Sequence, residues 1–386
     1  MAHFLVLGAG RMGTVLAKDL IESREDHIVT LVNDGERALQ NAARFIASRR
    51  LILLKNNMEN KSERSDVMKG QDVVFSALLH NQSLPSLETA VRRGVHYVDL
   101  VGEAPLERLE LDNEAKKNGV TAISGVGLSP GITNACVARA VRLLDETQNA
   151  RIFVGGVPLH PAPPLNHRIV YAFSSFLNFY EKNAQLLRNG KELELPPLSG
   201  VEPIAFMPDF PDMECFYTRG LSSLLLTMKE KIKGELSKKT VRHRGHIQGI
   251  KTLKECGLFS TQAVSVGARE IVPRNLLEAV LEPKLRLGEE TDVTLLRIIV
   301  AGRRSAKPQV HIFEMIDRFD PEKKYTSMAK TTAFPASIVG QMIVSGKIAT
   351  KGILFPEQIL ADGLFSVFKE GLAERGVFLS HKMLEN

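Results

Sequence analysis

The stretch HFLVLGAGRMGTVLAKDLI, residues 3–21, lies at the start of the chain and decides how its first third folds. His3 to Leu7 read as a short apolar strand. Gly8, Gly10 and Gly13 follow in G-x-G-x-x-G spacing, and Val15, Leu16, Ala17, Leu20 and Ile21 then recur at helical intervals. Each glycine has a physical task. Gly8 permits a tight turn, Gly10 lets a pyrophosphate approach the backbone, and Gly13 lets helix and strand pack closely. The helix start, with Arg11 and Met12 in its first turn, offers free N–H groups and a positive dipole end to the phosphates. A glycine turn in another α/β fold would share the spacing. The strand before it, the helix after it and the further strands downstream favour a dinucleotide-binding unit.

Those strands follow in order. HIVTLVN (27–33) and RLILLK (50–55) read as the second and third. DVVFSALL (72–79), HYVDLVG (96–102) and VTAISGVG (120–127) read as the fourth to sixth. Helical patterns lie between them, among them LPSLETAVRRG (84–94) and LERLELDNEAKKNG (106–119), the latter closed by Gly119. The alternation predicts an α/β fold with a doubly wound parallel sheet of Rossmann type. Ligands of such sheets bind at the carboxyl ends of the strands, which puts Ala77, Leu78, Val101 and Gly125 near the cofactor. The ribose should meet the end of the second strand, about 20 residues past the last glycine. Asn33 stands there with Asp34 beside it, and Arg37 is near enough to meet a phosphate. The reading is NAD, with NADP possible.

Past this unit, GVGLSPGITNACVARAVRLL (125–144) is a junction, with a break at Pro130–Gly131 and a helix from about Ile132. RIFVGGVPLHPAPPL (151–165) reads as a strand ended by its glycines, then a proline-rich connector. Strands are expected at 238–245, 293–304 and 309–320, and helices near 175–187 and 275–285. This is a second, α+β domain with a substantially antiparallel sheet. The expected boundaries are a dinucleotide domain at 1–130, a substrate and dimerisation domain at 131–330, and a helical segment at 331–386 returning to the first domain.

Composition limits the partners. Hydrophobic residues are 44% and charged residues 24%, ordinary for a globular protein, and the net charge of +6 suits small anions. No apolar run reaches the roughly 18 residues of a membrane span, and no signal peptide is read, so a cytoplasmic protein is expected. The three cysteines are far apart and read as free buried thiols.

The motifs LGAGRMG (7–13), DVVFSALL (72–79), GVHYVDLVGE (94–103), GVGLSPGITN (125–134), VGGVPLHPAPPL (154–165), RNGKELELPPLSGVEP (188–203) and KTVRHRGH (239–246) occur in an order that resembles the saccharopine dehydrogenase-like family. Within it, the chain looks most like the lysine dehydrogenases that oxidise the ε-amine. The resemblance implies a Rossmann domain completed by C-terminal segments, an inserted catalytic domain that also makes a homodimer, and hydride transfer to NAD(P) from a carbon bearing nitrogen. Three positions depart from the family's pattern: Asn33 and Ser129 stand where acids are common, and His243 where an aromatic residue is usual.

KTVRHRGH is the chain's other distinctive stretch. As a strand it places Thr240, Arg242 and Arg244 on one face and Lys239, Val241 and His243 on the other. Nucleic acid would want stacking aromatics and further basic clusters, and a metal would want more ligands than His243 and His246; neither partner is expected. A solvated strand edge accounts for Lys239 and Arg244. Arg242 instead suits a substrate α-carboxylate, which a guanidinium grips with two parallel hydrogen bonds. Oxidising an amine also needs a proton acceptor, and His246 is the candidate, with His80 second. Asp99 and Glu103, at the end of the fifth strand, are candidates to hold the substrate ammonium, and Tyr97 to line its pocket. The expected activity is NAD(P)-dependent oxidation of the amine of a basic amino acid, L-lysine first. The alternatives are a saccharopine-type enzyme acting on a secondary amine, for which a second basic group such as Arg219 would face the pocket, and a non-catalytic dinucleotide-binding protein.

Overall fold

Strand β1 (Ala2–Leu7) divides its side chains between two cores. Phe4 and Val6 point into one, Leu5 and Leu7 into the other, and all four are fully buried. Such two-sided burial is what a parallel sheet covered by helices requires. The computed structural model describes residues 1–169, 173–288 and 291–385, with side chains except at 173–175. The chain runs α1 (Arg11–Ser23), β2 (His27–Asn33), α2 (Glu36–Ile46), β3 (Leu51–Lys55), α3 (Lys61–Val67), β4 (Val73–Ser76), α4 (His80–Arg93) and β5 (His96–Asp99). Then come α5 (Pro105–Leu109), α6 (Asp112–Lys117), β6 (Thr121–Ile123) and α7 (Ile132–Leu143). The six strands pair in parallel, and a seventh, Gly352–Leu354, joins β6 from far down the chain. The expected doubly wound sheet is thus present. The helical stretch expected over 106–119 is two short helices, with a break at Glu110–Leu111.

The second half builds another sheet. Its elements are β7 (Glu146–Pro158), α8 (Phe173–Phe179), β8 (Ala184–Arg188), β9 (Lys191–Leu195), β10 (Glu202–Phe206), β11 (Phe210–Tyr217), α9 (Leu224–Thr227) and β12 (Ile232–His243). They continue with α10 (His246–Glu255), β13 (Val264–Val266), β14 (Arg269–Ile271), α11 (Pro273–Leu285), β15 (Asp292–Arg304), β16 (Lys307–Arg318) and α12 (Ser327–Val344). The chain ends with β17 (Gly352–Leu354), α13 (Pro356–Ile359), α14 (Gly363–Glu374) and β18 (Ser380–Glu385). The order is β10-β11-β12-β7-β15-β16-β18, with β8 and β9 attached through β12. The β12–β7 pair is parallel and its neighbours antiparallel, so the sheet is mixed.

Four sequence expectations change here. β7 does not stop at Gly155–Gly156 but runs to Pro158; a Cβ at Gly155 would lie 2.2 Å from the Val241 carbonyl, so the glycine serves strand contact, not strand ending. The helix expected over 175–187 stops at Phe179, and Ala184–Arg188 is a strand. The C-terminal segment is not wholly helical: β17 completes the first sheet and β18 edges the second. Of the free cysteines, Cys136 and Cys215 are buried, but Cys256 is exposed. Among the described residues, no helix is long and apolar enough to cross a membrane.

One apolar core joins the two sheets. Ile152 and Val154 of β7 and Leu296 and Ile298 of β15 share it with Phe4 and Phe75 of the first sheet and with α7 and α12. Lys238 is in register with Ile152, and Thr240 with Val154, so these two residues of β12 lie on the face turned toward the first sheet. Arg242 continues that face by alternation.

Candidate active site

The glycine loop is shaped for a phosphate. Gly8 has φ +99°, and a Cβ there would lie 3.0 Å from the Ala77 carbonyl. A Cβ on Gly13 would strike the Gly8 carbonyl at 1.9 Å. A Cβ on Gly10, in contrast, meets nothing within 4 Å. Gly10 caps α1 and has no side chain to bond the N–H groups of Arg11, Met12 and Gly13. An open space over uncapped N–H groups is what a pyrophosphate needs, so these residues fit a dinucleotide. Ala77 and Leu78 both flank Gly8. Asn33 is tied down: its Oδ1 accepts from the Ala9 N–H at 3.0 Å and its Nδ2 donates to Asp34 at 3.1 Å. It braces the loop from β2, and leaves Asp34 and Arg37 exposed beside it.

At the ends of β5 and β6, two sequence assignments need correction. Asp99 is completely buried and paired with Arg108 at 2.5 Å. It also accepts from Ser83 Oγ and the Gly125 N–H, at 2.9 and 3.0 Å. Burial pushes its carboxyl up, and Arg108, Gly125 and Ser83 pull it back. With both oxygens occupied and no exposure, Asp99 holds α5 and β6 to the sheet and has no face for a substrate ammonium. Tyr97 is likewise fully buried, its hydroxyl donating to the Ser83 carbonyl at 2.9 Å; it is a core residue, not a pocket wall. Glu103 is exposed just beyond. His80 opens α4, half-buried.

Over these strand ends lies a turn of the second half. Pro130 covers Gly102 and Gly125, and Ser222 donates to the Gly102 carbonyl. The turn at Arg219–Ser222 therefore sits on the rim where a Rossmann cofactor's reactive end comes to lie. β12 approaches the same turn. Lys238 donates to the Arg219 carbonyl at 3.0 Å, and Thr240 bonds the Thr218 hydroxyl at 2.9 Å. Arg219's own side chain is exposed.

Arg242, 3% exposed, is packed at the top of that face. Its Nη1 donates to the Val241 carbonyl at 2.9 Å, its Nε faces the Tyr180 hydroxyl at 3.4 Å, and the guanidinium lies 5.8 Å from the Phe179 ring centre. Tyr180 links it to His246, with 2.8 Å between the hydroxyl and Nε2. His246 Nδ1 lies 2.8 Å from the Leu165 carbonyl, so Nδ1 carries the proton and Nε2 accepts from Tyr180. Burial, aided by the Arg242 charge, depresses His246 to about 3. A histidine with both nitrogens engaged and no exposure is a poor neutral-pH base, which removes the proton-acceptor role read from sequence. His167 stacks nearby on Phe176, and neither of its ring nitrogens has a partner among the described residues. On the opposite face of β12, Lys239 pairs with Glu202 at 2.8 Å and His243 Nε2 donates to the Pro158 carbonyl at 2.8 Å. Arg244 falls beyond the strand, which ends at His243, and meets Asp212 at the surface.

Sequence reasoning missed Lys238 and Tyr180. Lys238 was legible: extending the alternation of Thr240 and Arg242 back by one step reaches it. Tyr180 was not, since its contact with His246 spans 66 residues. Among the described residues, no group of three or more His, Cys, Asp or Glu side chains could hold a metal.

A phosphate-ready glycine loop at the tips of a parallel sheet, faced by a second sheet with buried basic residues, defines a dinucleotide-dependent oxidoreductase. Comparison with known proteins narrows the class. Residues 4–123 match the saccharopine dehydrogenase NADP binding domain, and residues 127–377 the saccharopine dehydrogenase C-terminal domain. The chain is 23% identical to carboxyaminopropylagmatine dehydrogenase of Synechocystis sp., covering 94% of each protein. It is 22% identical to the NADP(+), L-glutamate-forming saccharopine dehydrogenase of Schizosaccharomyces pombe, over the full length of both. The apo L-Glu-forming saccharopine dehydrogenase of Saccharomyces cerevisiae has the same fold, with a TM-score of 0.83 at 18% identity over 100% of both chains. This chain belongs to the saccharopine dehydrogenase family. It is an NAD(P)-dependent dehydrogenase acting on CH–NH groups.

Proposed function

We propose that the enzyme oxidises a secondary amine built from an amino acid, gripping the substrate's α-carboxylate with Arg242. The observation that carries this reading is the buried Arg242, one step of alternation beyond Thr240 on the face of β12 that Lys238 and Thr240 share. A guanidinium there offers a planar, two-point grip that sets one end of an amino acid. Tyr180 and Phe179 steady it. The substrates named for the relatives, carboxyaminopropylagmatine and saccharopine, are both secondary amines carrying carboxylates, which favours this class over L-lysine.

A bound NAD(P)+ supplies the hydride acceptor. The chain's part is to cradle the pyrophosphate on Gly8–Gly13, to border the rest with Asp34, Ala77, Leu78 and Gly125, and to hold the reacting carbon at the rim between Gly102 and β12. Glu103, exposed just beyond β5, is the carboxylate this reading assigns to a substrate cation. Asp34 and Arg37 pull opposite ways on a ribose 2′-phosphate, so both cofactors belong in the test.

The test is spectrophotometric reduction of NAD and NADP with saccharopine, carboxyaminopropylagmatine, L-lysine and L-ornithine, each alone. Turnover of a secondary amine at a kcat/KM at least tenfold above L-lysine supports the reading. A preference for L-lysine would return the chain to ε-amine oxidation, the expectation from its motifs.

A further inference from the structure

Lys238 is the one buried group on the crevice-facing side of β12 whose chemistry is so far unused. It is 7% exposed. Its Nζ reaches the Arg219–Gly220 turn, where, among the described residues, it donates to the Arg219 carbonyl, a neutral acceptor. Among the described residues no carboxylate lies within ion-pair distance of it. Its neighbour Lys239, one residue on and on the other face, has Glu202 at 2.8 Å. Buried lysines are normally paired. A lysine left unpaired at the rim of a cofactor crevice needs a reason.

The turn it touches supplies one. Ser222 of that turn bonds the Gly102 carbonyl, and Pro130 packs over Gly102 and Gly125, at the ends of β5 and β6. Lys238 Nζ is therefore held from the second sheet against a turn that is bonded to the end of β5, at the strand ends where a Rossmann cofactor's reactive end lies. Resting on the proposed amine oxidation, the geometry points to Lys238 as the proton acceptor for the substrate ammonium.

The step balances simply. The lone pair of a neutral Lys238 Nζ takes one proton from the substrate's R₂NH₂⁺, leaving a free amine and a Lys238 ammonium bonded to the Arg219 carbonyl. The carbon next to nitrogen then gives up a hydride to NAD(P)+, the oxidant of the established activity. The resulting C=N⁺ bond takes up water and separates into a carbonyl and an amine, and Lys238 returns its proton to solvent. The surroundings suit the role. Burial first, and the Arg242 charge second, lower the amine from 10.5 to about 8, where a useful fraction is neutral at physiological pH. Among the described residues the other elements against it bring no opposing charge: β7 sets Ile152 beside it, and the turn gives a carbonyl.

The experiment measures kcat against pH at saturating amine for the wild type, Lys238→Met and Lys238→Arg. The wild type should lose activity on the acid side with a one-proton midpoint near 8. Lys238→Met should drop kcat about 10²–10⁴-fold and lose that limb, with KM little changed. Lys238→Arg keeps the charge but cannot accept a proton at these pH values, so it should not recover kcat. In parallel, competitive acylation of the cofactor-free wild type should show Lys238 reacting with the same midpoint. Three results overturn the assignment: kcat of Lys238→Met within about threefold of wild type, recovery by Lys238→Arg, or a rise in KM alone, which marks a carboxylate contact. A wild type that oxidises no amine overturns the function itself, a failure visible without any variant.

Discussion

Two buried charges in this molecule have opposite surroundings. Asp99, beneath the cofactor rim, has Arg108, Ser83 and a backbone N–H to satisfy it. Lys238, across the crevice, has a single carbonyl among the described residues. Both carry the cost of leaving water, and only the first has an opposite charge in the fold to offset part of it. The contrast separates a charge kept for architecture from one kept for chemistry. Perturbation alone does not make that separation, since burial shifts both groups. The partners do.

The largest expected effect comes from breaking the satisfied pair. Arg108→Met leaves the Asp99 carboxylate buried without its cation and should cost about 3–5 kcal/mol by urea unfolding. A loss below about 1 kcal/mol would mean that Asp99 protonates at no cost and that the comparison fails on its structural side. Next is the glycine loop. Gly10→Val fills only open space, so unfolding should be unchanged, while dinucleotide affinity by calorimetry should fall roughly ten- to a hundredfold or more as charge-assisted bonds to the phosphates are lost. Unchanged affinity would remove the cofactor from this loop.

Lys238→Met should go the other way and stabilise the protein. With the folded amine near 8 and the unfolded one near 10.5, both states are protonated below pH 8 and the full burial penalty applies. Removing the charge should raise stability at pH 7 by about 1–3 kcal/mol. Between those two values the unfolded chain binds more protons, so wild-type stability climbs with pH and the variant's advantage shrinks; above the upper one it is gone. A variant less stable than wild type at pH 7 would show that Lys238 has a partner after all. The smallest effect belongs to Asn33→Asp. Its oxygen can still accept from Ala9, but the Asp34 contact becomes repulsive. The ratio of kcat/KM for NAD over NADP should rise a few-fold; a static ratio would place ribose reading on other residues.

The sequence revealed those parts of the molecule whose causes are local. Gly8, Gly10 and Gly13 sit within six residues, and the loop they make is the one expected. The parallel sheet follows from strand–helix alternation, again local. Gly155 misled because a glycine that lets β12 approach β7 looks the same, in sequence, as one that ends a strand. Asp99 and His246 misled because their partners were out of view. Arg108 is in the following helix, and Tyr180 and Leu165 lie 66 and 81 residues from His246. Residue type suggested a carboxylate and an imidazole for catalysis; only the fold shows that both are already occupied. Arg242 kept its place on the expected face, while Arg244 left it because the strand stops one residue earlier.

The measurement that bears most directly on the whole account is a kinetic cycle on Arg242. kcat/KM is taken for wild type and Arg242→Lys, each with the preferred amine and with its analogue lacking the α-carboxylate. If β12 holds the substrate by that carboxylate, the substitution costs roughly ten- to a hundredfold with the full substrate and little with the analogue, and cofactor affinity stays put. Equal losses on both substrates would contradict the clamp, and with it the claim that this face of β12 reads the amino acid.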